Sequence, residues 1–262
     1  MKTIFLFIAI TIQFVVIGQQ HKTLLDAIGD TINRIDTNGN KTGIWEVHKG
    51  LVLEKGKYKN NKKEGVWIKY NYQKRIELIQ EYHDNLLNGM TVVFDQFGRM
   101  RNELHFKDNK LNGVNAFYDK DGKIKYRKHY KNGKLFGEYI SYYENGNKKE
   151  KNYYINDKKD SISIFYYENG AKRASLKYRN AKLNGEYYTY YKSGVLKSEK
   201  YYIDNLAQGE YKEYYETSRV NVSGQFKDDL KIGKWNYYDK TGNKIKTEKY
   251  KDGILFKTKT AN

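Results

Sequence analysis

Five histidines are the residues whose chemistry is simplest to evaluate, because imidazole is both a metal ligand and a general base. They are His21, His48, His83, His105 and His129. His105 and His129 occupy equivalent places in successive repeats, and equivalent residues of adjacent hairpins are expected about 10 Å from each other. One metal ion cannot bridge that separation with ligand bonds of about 2 Å. The sequence has no cysteine and no serine in a nucleophile elbow. We therefore predict no catalytic residue, no metal and no cofactor, and a protein that is not an enzyme.

Aromatic and basic side chains offer a second kind of chemistry, which is noncovalent binding. Aromatic rings beside cations can stack on sugars or anchor a protein partner. The alternative interpretation is that cross-strand aromatic pairs only hold a sheet together. The predicted binding face consists of Trp67, Phe117, Tyr139, Tyr143, Phe165, Tyr167, Tyr187, Tyr191, Tyr211, Tyr215, Trp235 and Tyr237, with Arg127, Lys151 and Arg173.

A repeat with a period of about 24 residues organises these side chains. Counting from Gly65 in steps of that length gives glycine at seven of eight positions, with Ser161 as the exception. If that residue is position 1 of a unit, positions 6 and 18 are aromatic in every unit and position 20 is always Asp or Asn. A shorter unit beginning at Gly43 precedes them. The nine units begin near residues 43, 65, 89, 113, 137, 161, 185, 209 and 233.

Each unit has the composition of a β-hairpin. Positions 2 to 7 are rich in aromatic and β-branched residues, which favour strands. Asn, Asp or Ser before Gly follows, as in Asn145-Gly146, and such pairs are typical of tight turns. Positions 11 to 18 then form a return strand, and positions 19 to 24 a second turn. The predicted fold is all-β, an elongated single-layer antiparallel meander, with the odd positions of both strands on one face.

The segments outside the array are predicted from composition. Lys2 followed by the apolar run from Ile4 to Ile17 is typical of a secretory signal peptide, cleaved between Gly18 and Gln19. An uncleaved anchor or a buried strand is the alternative. The predicted organisation is a signal peptide at 1–18, an N-terminal cap at 19–42, the repeat array at 43–256 and a tail at 257–262. We expect an exported protein that is soluble after cleavage, in the periplasm, at the cell surface or secreted.

The net charge of +18 permits acidic partners. Lysine on exposed strands also discourages edge-to-edge association of sheets, which explains the charge without any partner. We expect a protein partner, with an anionic glycan or membrane surface as the alternative, and we do not expect nucleic acid. The oligomeric state stays open.

The unit resembles the bacterial variant of the MORN repeat. The resemblance rests on Gly137-Glu138-Tyr139-Ile140-Ser141-Tyr142-Tyr143-Glu144-Asn145-Gly146 and on Tyr130-Lys131-Asn132-Gly133-Lys134-Leu135-Phe136-Gly137, and it covers about residues 43 to 256. It implies a noncatalytic scaffold that binds another protein. Proteins of this kind are often labelled antitoxin components, so neutralisation of a toxin is the alternative function that the resemblance implies.

Overall fold

The computed structural model describes residues 32–261, so the predicted signal peptide and its cleavage site lie outside the described residues. No helix long and apolar enough to cross a membrane occurs in the described range. The strands are β1 (Arg34–Ile35), β2 (Lys41–Lys49), β3 (Val52–Lys59), β4 (Lys62–Tyr70), β5 (Ile76–His83), β6 (Leu86–Phe94), β7 (Met100–Lys107), β8 (Lys110–Leu111), β9 (Gly113–Tyr118), β10 (Ile124–Lys131), β11 (Lys134–Tyr142), β12 (Lys148–Ile155), β13 (Lys158–Tyr166), β14 (Lys172–Arg179), β15 (Lys182–Tyr190), β16 (Leu196–Ile203), β17 (Leu206–Tyr214), β18 (Val220–Lys227), β19 (Leu230–Tyr238), β20 (Lys244–Lys251) and β21 (Ile254–Thr260).

All 21 strands belong to one open antiparallel sheet. Each strand pairs with the next along the chain, except that β7 pairs with both β8 and β9, which Asn112 separates. No helix packs on the sheet within residues 32–261. The predicted all-β, single-layer meander of hairpins is confirmed.

The two turns of each unit differ in construction. At the second turn, Asp84 and Asn85 both have positive φ, 50° and 68°, and His83 pairs with Leu86 across them. Two residues with positive φ form the hairpin loop that matches the twist of the strands. The predicted longer second turn, positions 19 to 24, is therefore wrong, because the next strand already begins at position 22.

The position-1 glycine lies inside a strand rather than in a turn. In β6, Gly89 has a φ of 117°, and the register against β5 shifts between Gln80 and Tyr82. A bulge with a residue at positive φ favours glycine, since other L-residues are strained there. This requirement explains why glycine recurs once in almost every unit.

A second bulge decides which side chains share a face. Tyr166 pairs with Lys172, but Phe165 pairs with Ala174, so Arg173 is the extra residue. The slip of one residue places odd positions of the first strand beside even positions of the return strand. The prediction that the odd positions of both strands share one face is therefore wrong. We call the side that carries Trp67 and Trp235 the tryptophan face, and the other side the opposite face.

The most buried column runs along the tryptophan face at position 3. Its members are 0 to 4% exposed where the residue is Trp67, Thr91, Asn115, Ser163 or Trp235. Without a second layer over residues 32–261, these side chains are covered by their neighbours on the same face. Each unit therefore buries its position-3 residue only when the adjacent strands are in place, which makes the stability of the array depend on contacts between neighbours.

Candidate binding surface

The tryptophans of the predicted binding face are core residues. Trp235 is 2% exposed, and its ring centroid lies 5.1 Å from that of Phe226 and 5.4 Å from that of Tyr211. A Cβ built on Gly224 would lie 2.3 Å from Trp235 Cδ2, so the indole rests directly on that glycine. Neither Trp235 nor Trp67, which is 3% exposed, offers a surface to a ligand.

A lysine covers the outer side of each tryptophan. Lys231 Nζ lies 4.2 Å from the ring centroid of Trp235, and Lys63 Nζ lies 4.1 Å from that of Trp67. Cation–π contacts at such distances contribute about 0.5–1 kcal/mol at exposed sites. These lysines stabilise the core of the array and shield the indoles from solvent.

Four tyrosines at position 7 link successive units through hydrogen bonds. Each hydroxyl donates to a backbone carbonyl of the following unit, at 2.7 to 2.8 Å, and the pairs are Tyr143 with Tyr166, Tyr167 with Tyr190, Tyr191 with Tyr214, and Tyr215 with Tyr238. Where position 7 is Asp or Asn, its side chain instead accepts from the N–H groups of its own turn, as Asp95 does from Phe97 and Arg99. The position-7 tyrosines therefore have a structural role as well as an accessible ring edge.

Burial, together with a neighbouring carboxylate, raises the pKa of two tyrosines on this face, Tyr139 and Tyr211. Burial, followed by the nearby Glu150, raises the pKa of Tyr139 to about 12. Burial also raises the pKa of Tyr211, together with the hydrogen bond that its hydroxyl donates to Glu213 at 2.9 Å. Tyr187 packs edge-on against Tyr202, with centroids 5.7 Å apart. Phe117 stacks on Tyr126 at 4.4 Å.

Tyr237 belongs to a hydrogen-bonded cluster centred on Glu248. The carboxylate accepts from Lys246 Nζ at 2.8 Å, from the Tyr237 hydroxyl at 2.5 Å and from the Tyr250 hydroxyl at 2.9 Å. These bonds, led by that of Lys246, hold the pKa of Glu248 at about 2, below its usual value of 4.5. The same carboxylate, added to burial, raises the pKa of Tyr237.

The three predicted basic residues do not lie together. Arg127 pairs with Ala116 and Lys151 with Ile164, which places both cations on the opposite face, and Lys151 forms a salt bridge there with Glu138. Arg173 is the bulged residue, and its guanidinium carbon lies 5.7 Å from the ring centroid of Phe165 on the tryptophan face. Only Arg173 therefore stands beside the predicted aromatic residues.

A groove of about 410 Å³ forms between the unit that begins at residue 161 and the unit that begins at residue 185, called units 161 and 185 below. Ala174 and Leu176, both buried, belong to its lining, and it contains no carboxylate and no imidazole. The groove is open to solvent and has a cation at each of two successive bulges. Its lining comprises Phe165, Tyr167, Arg173, Ala174, Leu176, Tyr187, Thr189, Tyr190 and Lys197.

The groove joins four predicted residues, Phe165, Tyr167, Arg173 and Tyr187, with residues that the predicted face lacks. Lys197 is the bulged residue of the next unit, equivalent to Arg173. Leu176 and Ala174 are even-numbered positions of the return strand, which the assumed register placed on the other side. Recognising the bulge from the sequence would have found Ala174 and Leu176, whereas Lys197 is an odd position that the assumed register already placed on this side.

The comparison with protein-family models matches three segments, residues 111–132, 137–156 and 183–204, to the MORN repeat variant. These three segments are similar to the MORN repeat variant. No curated protein matches the chain. The segment 183–204 contains Tyr187, Thr189 and Lys197 of the groove, whereas Phe165, Arg173 and the other lining residues of the preceding unit lie outside the three matched segments.

The characteristic residues of these MORN segments have direct structural causes. The aromatic residue at position 18 packs against position 3, as Tyr154 does against Tyr139 at 6.2 Å. The Asn or Asp at position 20 occupies the first place of the two-residue turn, with φ of 51° at Asn132 and 49° at Asp204. Asn and Asp tolerate this conformation better than other non-glycine residues.

Proposed function

We propose that the chain is a noncatalytic repeat scaffold that binds another protein through the groove between units 161 and 185. One observation carries the proposal: two exposed cations, Arg173 and Lys197, border an apolar hollow lined by Phe165, Leu176 and Tyr187. Buried apolar pockets with an adjacent Arg or Tyr are the usual anchoring points of protein interfaces. The groove lining contains no carboxylate, imidazole or thiol, the groups that most often act as a general base or a metal ligand, and this supports binding without catalysis.

The partner is proposed to lie outside the cytoplasm, at the cell envelope or beyond it. This part rests on the signal-like run from Ile4 to Ile17 and on the absence of cysteine, which leaves the fold independent of the redox state of its compartment. A toxin neutralised by the chain is one class of protein partner that the proposal covers.

Site-specific photo-crosslinking tests the proposal with a matched control. Tyr187 and Tyr188 are adjacent and both half-buried, but they lie on the tryptophan face and the opposite face respectively. Replacing Tyr187 with p-benzoylphenylalanine is expected to yield a crosslinked protein in an envelope extract, whereas replacing Tyr188 is not. Equal crosslinking from both positions, or from neither, would contradict binding through the groove.

An anionic glycan is the second candidate ligand, favoured by the two cations and the lack of acidic groups around the groove. Such binding would be strongly weakened by salt, because ion pairing would dominate the affinity. Arg173→Ala should then abolish retention on an acidic-polysaccharide column, while Arg127→Ala, an equally exposed arginine on the opposite face, should not. Retention of both variants would exclude the glycan candidate.

A further inference from the structure

The bulged residue at position 13 is a cation in five consecutive units. The first of them, Arg101, is half-buried and lies 4.0 Å from the Asp95 carboxylate. The other four, Lys125, Lys149, Arg173 and Lys197, are likewise unpaired in the ladder of their hairpin, because the register shifts around them. All four are exposed. We call them the cation row. Since each unit contributes two strands about 4.8 Å apart, successive members of the row are spaced by about 9.6 Å.

No salt bridge neutralises the cation row. None of its four members forms a salt bridge with any residue between 32 and 261, although Glu144 and Glu168 lie on the neighbouring turns. The Asp119 carboxylate interacts with Lys125 at longer range, since its pKa is lowered first by the backbone N–H of Lys123 and also by the charge of Lys125. By contrast, two lysines on the opposite face form salt bridges: Lys177 lies 3.6 Å from Glu186, and Lys151 pairs with Glu138. An unpaired row of like charges attracts counter-charges, and a linear partner can supply them.

Aromatic rings line the same edge of the tryptophan face. Lys149 Nζ lies 5.8 Å from the centroid of Tyr143, and Lys197 Nζ lies 5.6 Å from that of Tyr191. The hydrogen bonds from the tyrosine hydroxyls hold these rings in place. Fixed aromatic rings beside a groove are the feature by which proteins bind polyproline II segments, which lose little entropy on binding.

We propose that the cation row binds an extended acidic segment of the protein partner, with a carboxylate at every third residue and apolar residues between. The inference rests on the proposed protein-binding function and specifies its ligand. A polyproline II segment advances about 3.1 Å per residue and has three residues per turn, so every third side chain recurs at about 9.3 Å on one side. This period matches the spacing of the cation row to within a few tenths of an ångström. The apolar residue between two carboxylates would enter the hollow above Ala174 and Leu176.

A synthetic dodecapeptide of four Glu-Pro-Ala triplets tests the match of periods. The control peptide has the same composition with its four glutamates consecutive, so that both peptides carry equal charge. Fluorescence anisotropy should give at least about tenfold tighter binding of the triplet peptide, because only it meets all four cations together. Equal affinities would overturn the proposal, since they would reflect net charge alone.

Paired variants locate the binding. Lys149→Gln with Arg173→Gln should weaken binding of the triplet peptide by about tenfold, at roughly threefold for each exposed charge pair lost. Arg127→Gln with Lys177→Gln removes the same charge from the opposite face and should leave the affinity unchanged. Equal losses in both double variants would contradict the assignment to the cation row.

The remaining outcomes separate this inference from the proposed function. An oligogalacturonate tetramer that binds more tightly than the triplet peptide, with the same dependence on Lys149 and Arg173, would overturn the peptide assignment in favour of a glycan. A partner protein crosslinked through the Tyr187 position, together with no binding of the triplet peptide, would refute the ligand chemistry while the proposed function stands.

Discussion

The contact between Gly224 and Trp235 gives a prediction in which two physical effects have opposite signs. Gly224 has no positive φ, so alanine fits its backbone without strain. Because alanine lowers the conformational entropy of the unfolded chain, this effect alone would make the Gly224→Ala variant more stable by about 0.5–1 kcal/mol. However, the added Cβ would lie 2.3 Å from Cδ2 and 2.4 Å from Cε2 of an indole that is 2% exposed.

The clash should dominate, because ordinary carbon contacts begin near about 3.5 Å and the ring must move by more than an ångström. Such a shift loosens the contacts of Trp235 with Phe226 and Tyr211. Overpacking costs about 1–3 kcal/mol, and full expulsion of a tryptophan about 3–5 kcal/mol. We therefore expect Gly224→Ala to lower the free energy of unfolding by about 3 kcal/mol.

Urea unfolding followed by tryptophan fluorescence and circular dichroism measures the change. Gly56→Ala provides an independent repetition, since its Cβ would lie 2.3 Å from Trp67 Cδ2. Elsewhere in the array the sizes of the two residues are reversed: Leu104 occupies the place equivalent to Gly224, and the smaller Asn115 occupies the place equivalent to Trp235. Gly224→Leu should thus be partly rescued by Trp235→Asn. A Gly224→Ala variant as stable as the wild type, or more stable, would refute this account of the core.

Three further perturbations have expected outcomes. Tyr191→Phe removes the hydrogen bond to the carbonyl of Tyr214 and should lower the free energy of unfolding by about 1 kcal/mol; a change below the error of urea unfolding would contradict the linking role. Ala181→Gly should raise the melting temperature, because alanine at a φ of 66° costs roughly 1–2 kcal/mol that glycine avoids; an unchanged or lower melting temperature would exclude that strain. Glu248→Gln should lower stability at neutral pH by roughly 1–2 kcal/mol after solvent screening is allowed for. Since the bond to Lys246 and two tyrosine hydroxyls depress the pKa of Glu248 from 4.5 to about 2, this contribution is complete above about pH 4.5 and is lost as the pH falls towards 2. Melting temperatures of both proteins between pH 2 and 7 measure it, and a constant difference would contradict the mechanism.

The 24-residue period of the sequence was sufficient to predict the hairpin array, because residues that each favour one backbone conformation or one packing position recur at the same position of every unit. Glycine marks the first bulge, Asn or Asp marks the two-residue turn, and aromatic residues mark the packing columns. These preferences are local, so one copy of the unit already carries them. Eight copies in register then exclude a coincidence.

The faces of the sheet were predicted wrongly for a reason that is equally local. The bulge at position 13 has no residue type of its own, since Arg173, Lys197 and Asn221 all occupy it. A single extra residue moves the whole return strand to the other side. The error placed Arg127 and Lys151 beside the aromatic residues and left out Leu176, although Phe165, Tyr167, Arg173 and Tyr187 were correctly placed on one side.

The alternation of residues along a strand also could not predict that the tryptophans are buried. Trp67 and Trp235 occupy the same column as Tyr187, which lines the groove. Whether a ring at this place is buried depends on the residue opposite it, glycine in the case of Trp235, and on the lysine that covers it. These are contacts between different strands, and a periodic pattern read along one strand does not contain them.

The central claim is that the repeat units stack one after another into a single open sheet. Pulsed electron resonance between spin labels at position 2 tests it directly, because Glu138, Glu186, Glu210 and Lys234 are all exposed at equivalent places. The distance should grow with the number of units, from about 10 Å for residues 186 and 210 to about 19 Å for 138 and 186, and at most about 38 Å for 138 and 234. A distance between 138 and 234 no longer than that between 138 and 186 would contradict an open array.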